Sequence, residues 1–299
     1  MHQRPPVWLS ATPAVFVVLW ATGFIGAKFG LPYAEPFTFL TLRFWLVALL
    51  FGLIVVATGA PRPASLRQTV HNLVVGVLLH GIYLGGVFAA IAYGMPAGLS
   101  ALIVGLQPAM TALVARPLFG LRITALQWLG IVLGFSGLVL VVGADLDLGA
   151  GATAGVDALT LALCIAGLAG ITAGSLYQKA FCAAQDLRTG AFLQYVGGAS
   201  IVTIPALAFE TNEIAWTAEF LFALGWLIVV LSFGAVTLLM LIIRHGDMSR
   251  VTAMFYLVPP VTVLMAWALF DERLAMVQLA GIAVAAVGVM LVTRAGRRT

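Results

Sequence analysis

AGLSALIVGLQPAMTALVARPLFGLRITALQWLGIVLGFSGLVLVV, residues 97–142, is the stretch that decides the fold, because the chain repeats it. Laid without a gap on residues 248–293, MSRVTAMFYLVPPVTVLMAWALFDERLAMVQLAGIAVAAVGVMLVT, it shares fourteen of forty-six positions at an offset of 151 residues. Apolar composition alone yields some coincidences. It does not readily align Pro108 with Pro259, Leu118-Phe119 with Leu269-Phe270, Arg122 with Arg273, Gln127 with Gln278, Gly130 with Gly281 and Gly137 with Gly288. The same offset pairs Lys28 with Lys179, each at the end of an apolar run. Two repeats follow, residues 1–148 and 149–299.

The rest of the chain says what medium these repeats inhabit. Hydrophobic residues make up 62% of it, charged residues 9%, and the mean hydropathy is +1.10. A soluble globular protein carries about 25% charge, so a water-soluble fold is excluded. Reading apolar windows against turn residues and charges predicts ten membrane spans of about 20 residues, near residues 11–30, 37–57, 71–93, 98–116 and 124–143, then 157–179, 189–208, 220–243, 250–270 and 275–293. The first of them has a counterpart in mid-chain and reads as a retained span, not a signal peptide. Five spans per repeat is an odd number. The second repeat therefore enters the membrane from the opposite side, the inverted arrangement common among secondary transporters. The expected fold is all-α, with ten transmembrane helices as two inverted five-helix repeats around a central cavity.

Charge gives the orientation. With both termini in the cytoplasm, twelve of the fifteen Lys and Arg fall on the inner side, leaving Lys28 and Arg273 outside and Arg43 within a span. That asymmetry follows the positive-inside rule. It also accounts for the pI of about 9.4 without a nucleic-acid partner, since no basic run interleaved with aromatics occurs. Cys164 and Cys182 make neither a disulfide framework nor a metal site, and no cofactor is called for. The expected location is the inner (plasma) membrane, multi-pass.

Several short motifs stand in a telling order: Trp20-x-x-Gly23 in a first span ending at Lys28, Leu42-Arg43-Phe44 early in the second, Pro108 and Pro259 in mid-span, and Phe270-Asp271-Glu272-Arg273 before the last. On these, over essentially its whole length, the sequence resembles the EamA family of the drug/metabolite transporter superfamily, and within it most nearly the YddG-type aromatic amino acid exporters. The resemblance implies ten helices around a central cavity and the export of amino acids and other metabolites. The first repeat departs from it, carrying Gly120-Leu121 where the second has Asp271-Glu272. Any acidic role at that turn exists once.

Paired proline-interrupted spans point to a transporter's binding site. Pro108 and Pro259-Pro260 each remove an N–H and free a carbonyl one turn back, at Val104, Phe255 and Tyr256, which in hydrocarbon calls for a partner or a water-lined cavity. Polar side chains at mid-membrane depth extend the candidate substrate site: Trp20, His80 and Tyr83 (three apart, hence on one helical face), Gln107, Tyr177 and Tyr256, beside Pro108 and Pro259. Tyr177 also suits interfacial anchoring. Arg43, whose counterpart is Gln194, is expected to tie helix ends together through backbone carbonyls or Glu35; gripping a substrate carboxylate is the alternative. The small-residue pairs Gly26-x-x-x-Gly30, Gly130-x-x-x-Gly134 and Gly281-x-x-x-Ala285 permit close helix approach. Packing within one chain accounts for them, so a monomer is expected, with a homodimer left open.

Every Asp and Glu is placed in a loop or at a span end, and His80 is the one central group that titrates near neutrality. The expectation is a secondary transporter for neutral or aromatic amino acids and related metabolites, working by alternating access and facilitative, not strictly proton-coupled. The alternatives are a proton-coupled exporter of other metabolites or drugs, a channel, and a membrane-embedded enzyme. Four scattered histidines and no central acid argue against the enzyme.

Overall fold

Runs of Leu, Val, Ala and Phe with few breakers form helices, and in a bilayer they must, because a helix satisfies its own backbone groups. The computed structural model describes residues 7–119, 124–147, 156–183, 185–235, 238, 257–272 and 275–295, with backbone alone at 7–14, 115–119, 141–147 and 292–295. The first half contains α1 (Val7–Gly30), α2 (Pro36–Thr58), α3 (Leu66–Gly76), the π-helical segment π1 (Val77–Leu84), α4 (Gly85–Ala92), α5 (Ala97–Gly105), α6 (Gln107–Phe119) and α7 (Ala125–Asp147). The second contains α8 (Ala158–Phe181), α9 (Leu187–Phe209), α10 (Ala218–Trp226), π2 (Leu227–Ala235), α11 (Val258–Phe270) and α12 (Met276–Ala295). Six stretches are long and apolar enough to cross a membrane, and four shorter helices are apolar. No strand forms among the described residues, only a single antiparallel bridge between Ala34 and Ile214.

Element ends follow local chemistry that recurs at the repeat offset. Displaced by 151 residues, α1 falls on α8, α2 on α9 and α6 on α11 at both ends, and π1 falls within π2. Glu35 and Asp186, the N-cap residues of α2 and α9, are counterparts. Gln127 and Gln278 are identical because both do one job. Each is buried at the third position of its helix and reaches back to a backbone N–H ahead of the first turn, that of Thr124 at 2.8 Å and of Ala275 at 2.7 Å. This is half of a capping box, and Thr124 completes it in the first repeat by accepting from Gln127 N at 3.2 Å.

The chain gathers into two compact units that cut across its halves: Met1–Gly26, Pro96–Ala154 and Val229–Thr299 in the first, Ala27–Met95 and Gly155–Ile228 in the second. In the first unit α7 packs antiparallel on α12, backbone close to backbone at their glycines. A Cβ on Gly137 would collide with the carbonyl of Gly281 and lie 2.5 Å from Ala285 N. A Cβ on Gly288 would meet Gly134 N and lie 2.5 Å from the carbonyl of Gly130. Gly130, Gly134 and Gly137 are the counterparts of Gly281, Ala285 and Gly288, so the contact is self-complementary, as a two-fold axis requires. The small-residue pairs of α7 and α12 are thus occupied within the chain. In the same unit α5 runs antiparallel to α11, with Gly98 against Val263 and Gly105 against Pro259.

In the second unit α2 and α9 are likewise antiparallel counterparts. At one end Thr189 Oγ1 donates to the carbonyl of Pro61 at 2.8 Å. At the other, two carboxylates are exchanged between loops. Glu210, ending α9, accepts from Phe37 N at 2.9 Å, Thr38 N at 2.6 Å and Thr38 Oγ1 at 2.8 Å, capping α2. Glu35 accepts from both Thr211 N and Thr211 Oγ1 at 2.6 Å. Those bonds hold the Glu35 carboxyl below its ordinary value, the Thr211 hydroxyl contributing most. Asp157, held by Thr160 N and Oγ1, and Asp186, held first by the Arg188 side chain, are lowered too. A carboxyl lowered on folding stabilises the fold above its unfolded value, and that contribution is lost as pH falls through the folded one. Thermal stability in detergent is therefore expected to drop on acidification below about pH 4.5, and Glu35→Gln, Asp157→Asn and Asp186→Asn to flatten that drop. An unchanged acid limb in the triple variant would refute the assignment.

Candidate functional site

The site grows from π1. A π turn holds more residues than an α turn, so the segment needs room, and its neighbours supply it as glycine. On α8, a Cβ at Gly170 would lie 2.8 Å from Tyr83 N and one at Gly167 3.1 Å from the Tyr83 carbonyl. On α9, Gly197 lies against the backbone of Leu73 and Gly198 against the Cβ of His80. The Cβ of His80 lies against Gly198 of α9, and the backbone of Tyr83 lies against Gly167 and Gly170 of α8.

Where α2, π1 and α9 converge, polar and aromatic side chains are buried together. Arg43 is 3% exposed. Its Nη2 donates to the Leu227 carbonyl at 3.3 Å, and its guanidinium carbon lies 5.7 Å from the Phe44 ring centroid and 6.0 Å from that of Phe88. Backbone carbonyl pairing was one of the two structural partners expected for Arg43. The other, Glu35, bonds Thr211 instead. The His80 ring stacks on Tyr195 at 4.2 Å and 13° and tilts against Phe44 at 5.6 Å. Phe44 meets Tyr195 at 5.8 Å, and Phe51 stacks on Tyr195 at 5.9 Å. His80 Nδ1 is buried without a hydrogen-bond partner among the described residues.

Tyr195, Phe88 and the Leu227 carbonyl are absent from the sequence reading. The offset held the signal for Tyr195, which is the counterpart of Phe44. The two contact each other, so the pseudo-symmetry of α2 and α9 passes between them. Beside them Arg43 matches Gln194, and here the repeats diverge. Gln194 Nε2 donates to Asn72 Oδ1 at 3.4 Å, and its backbone lies against Gly76, the counterpart of Leu227.

The remaining candidates lie elsewhere. Tyr177 bonds His71, its hydroxyl 2.8 Å from Nδ1, and His71 stacks on Phe181 at 4.7 Å, so Tyr177 closes a cluster joining α3 to α8. In the first unit Trp20 tilts on Phe16 at 5.4 Å. The chain breaks between α5 and α6 at Leu106, which places Gln107 and Pro108 in the first turn of α6, as expected of a proline-interrupted span. Pro259 is buried at the start of α11 against Gly105, beside a cavity of about 10 Å³ lined by Leu102, Leu106, Ala285, Ala286 and Val289. Tyr256 lies outside the described residues.

Long apolar helices enclosing a buried guanidinium and glycine-shaved contacts define a multi-pass helical membrane protein. The profile of the EamA-like transporter family matches residues 10–143 and again residues 158–294, and the chain belongs to that family. It is 24% identical to the uncharacterized inner membrane transporter YedA of Escherichia coli K12, across 92% of this chain and 87% of that one. It is 26% identical to the uncharacterized transporter YvbV of Bacillus subtilis 168, across 98% and 93%. Over 44% of its length it is 31% identical to a probable amino-acid metabolite efflux pump of E. coli K12, covering 42% of that protein. A solved crystal structure shares the fold at a TM-score of 0.64 and 19% identity, across 97% of this chain and 98% of the other.

Proposed function

We propose that this transporter moves neutral or aromatic amino acids and related metabolites out of the cell by alternating access. In this reading ten spans form two inverted repeats, residues 1–148 and 149–299, in the inner (plasma) membrane with both termini cytoplasmic. The observation that carries it is the reciprocal antiparallel packing of counterpart helices, α7 on α12 and α2 on α9. Inverted halves of this kind can exchange conformations and so open to each side in turn. The efflux pump among the relatives supports the substrate class.

The transport is facilitative. Ten of the eleven acidic residues are described, and they stand at helix ends or in loops; Asp247 lies outside the described residues. His80, Tyr83, Trp20, Gln107, Pro108, Tyr177, Tyr256 and Pro259 are the proposed substrate contacts. Purified protein in liposomes should show saturable, competable counterflow of labelled neutral amino acids. A channel gives flux without counterflow, which would overturn the carrier reading. Substrate-dependent pH changes that vanish in His80→Ala would overturn the facilitative one.

A further inference from the structure

At the loop end of the second unit lies a cavity of about 610 Å³, within the range of about 300–1,000 Å³ usual for small-molecule sites. Its walls come from the segment between α1 and α2, the end of α4 and the segment between α9 and α10. The bridge between Ala34 and Ile214, with a bond from Ala215 N to the Tyr33 carbonyl at 2.8 Å, ties two of these walls together. Four aromatic rings line the space: Tyr33, Phe37, Tyr93 and Phe209. None of them is paired with another ring among the described residues. Three carboxylates complete the lining, and no Lys, Arg or His does. Glu35 and Glu210 are held by N–H and O–H donors. Those donors are neutral, so both charges persist. Glu213 is exposed, and its carboxylate bonds no described residue. These charges are spread: no three His, Cys, Asp or Glu side chains among the described residues are grouped so as to hold a metal ion. A diffuse negative field over aromatic walls suits a large organic cation and not a compact divalent one.

We infer that this cavity binds organic ammonium ions, with Glu213 as the counter-ion and the rings of Tyr33, Phe37, Tyr93 and Phe209 as the wall against which the cation lies. An ammonium is attracted to the face of an aromatic ring, and carboxylates without a basic neighbour add Coulomb attraction. The site requires a positive nitrogen carrying apolar carbons. It rejects the matching carboxylate, which three like charges repel. A quaternary ammonium is accepted as well as a primary one, because neither ring faces nor net charge demand an N–H donor. The bridge and the two carboxylate caps hold the walls before a ligand arrives, so little ordering is needed on binding. Binding here is independent of the direction and mode of transport.

Isothermal titration of the purified protein in detergent tests this with three solutes: phenethylamine, a cation at neutral pH; hydrocinnamate, an anion of similar size; and tetraethylammonium, a cation without an N–H. Both cations should bind, and hydrocinnamate should not. Glu213→Gln should weaken both cations severalfold, and the double variant Glu213→Gln/Tyr93→Ala by about tenfold. Both residues are exposed and neither side chain bonds a described residue, so the variants should melt with the wild type. Tyr93→Phe keeps the ring and should bind as the wild type does. Hydrocinnamate binding as well as phenethylamine, or the double variant keeping wild-type affinity for tetraethylammonium, would overturn the site. Absence of amino acid counterflow in liposomes, with this cation selectivity intact, would overturn the transport reading and uphold the site.

Discussion

Gly137→Leu should cost the protein its folded state, and Gly288→Leu should do the same to a similar degree. Overpacking a core with extra methylenes ordinarily costs about 1–3 kcal/mol, because side chains can give way. Here the obstacles are the carbonyl of Gly281 and the amide of Ala285 in one variant, the amide of Gly134 and the carbonyl of Gly130 in the other. These are helical backbone atoms, and moving them separates α7 from α12 along the whole contact. The cost should exceed about 3 kcal/mol, the exceptional end of single-substitution effects, and appear as loss of the monodisperse peak in detergent. Gly134→Ala is the control. Its Cβ would meet only the end of the Leu106 side chain, at 3.2 Å, and it should melt within a few degrees of wild type. Equal behaviour of all three variants would show that the two helices do not meet as described.

Glu210→Ala should be the most damaging change to a charged residue at the loop end of the second unit. It removes one acceptor from three donors, two of them N–H groups in the first turn of α2 with no partner within that helix. A lost cap costs about 0.5–2 kcal/mol and a charge-assisted bond about 1.5–3 kcal/mol. Because the three bonds share one carboxylate, the total should be about 2–3 kcal/mol rather than their sum. Glu210→Gln keeps the shape and loses the charge that favours a helix N-terminus, and it should fall between Ala and wild type. Glu35→Ala should cost less, because its partner Thr211 is exposed. Hydrogen exchange gives the local readout: the amides of Phe37 and Thr38 should lose protection in Glu210→Ala ahead of the rest of α2. Protection unchanged at those two amides would refute the cap.

The offset of 151 residues carried far into the structure because one local chemistry acts twice: the same capping residues, prolines and glycines end or join helices at matching places. Identity was legible where backbone geometry demands it, as at Gly137 and Gly288, or where a cap does, as at Gln127 and Gln278. The site was legible only in part. Arg43 and His80 announce themselves as polar residues in apolar helices, but Tyr195 is unremarkable until Phe44 is seen to touch it. Hydrophobic periodicity also cannot reveal a π segment, since an all-round apolar helix looks the same in either winding. Glu35, one of the two partners that the sequence offers Arg43, is taken by a long-range contact instead. It bonds Thr211, 176 residues away, where the bridge between Ala34 and Ile214 and the bonds of Glu210 to α2 hold the loops together.

The bond from Arg43 to Leu227 spans 184 residues, and this has a meaning in time. A chain grows at about 5–20 residues per second, so the carbonyl that receives this guanidinium is made roughly 10–40 s after the arginine itself. Through that interval α2 must be threaded into the bilayer with its charge, the carbonyl at the start of π2 not yet made. The long arginine stem can reach toward the headgroups meanwhile. The burden of this residue therefore falls first on the machinery that inserts the nascent chain, and a variant that melts normally once assembled can still differ from wild type in how much of it ever reaches the membrane.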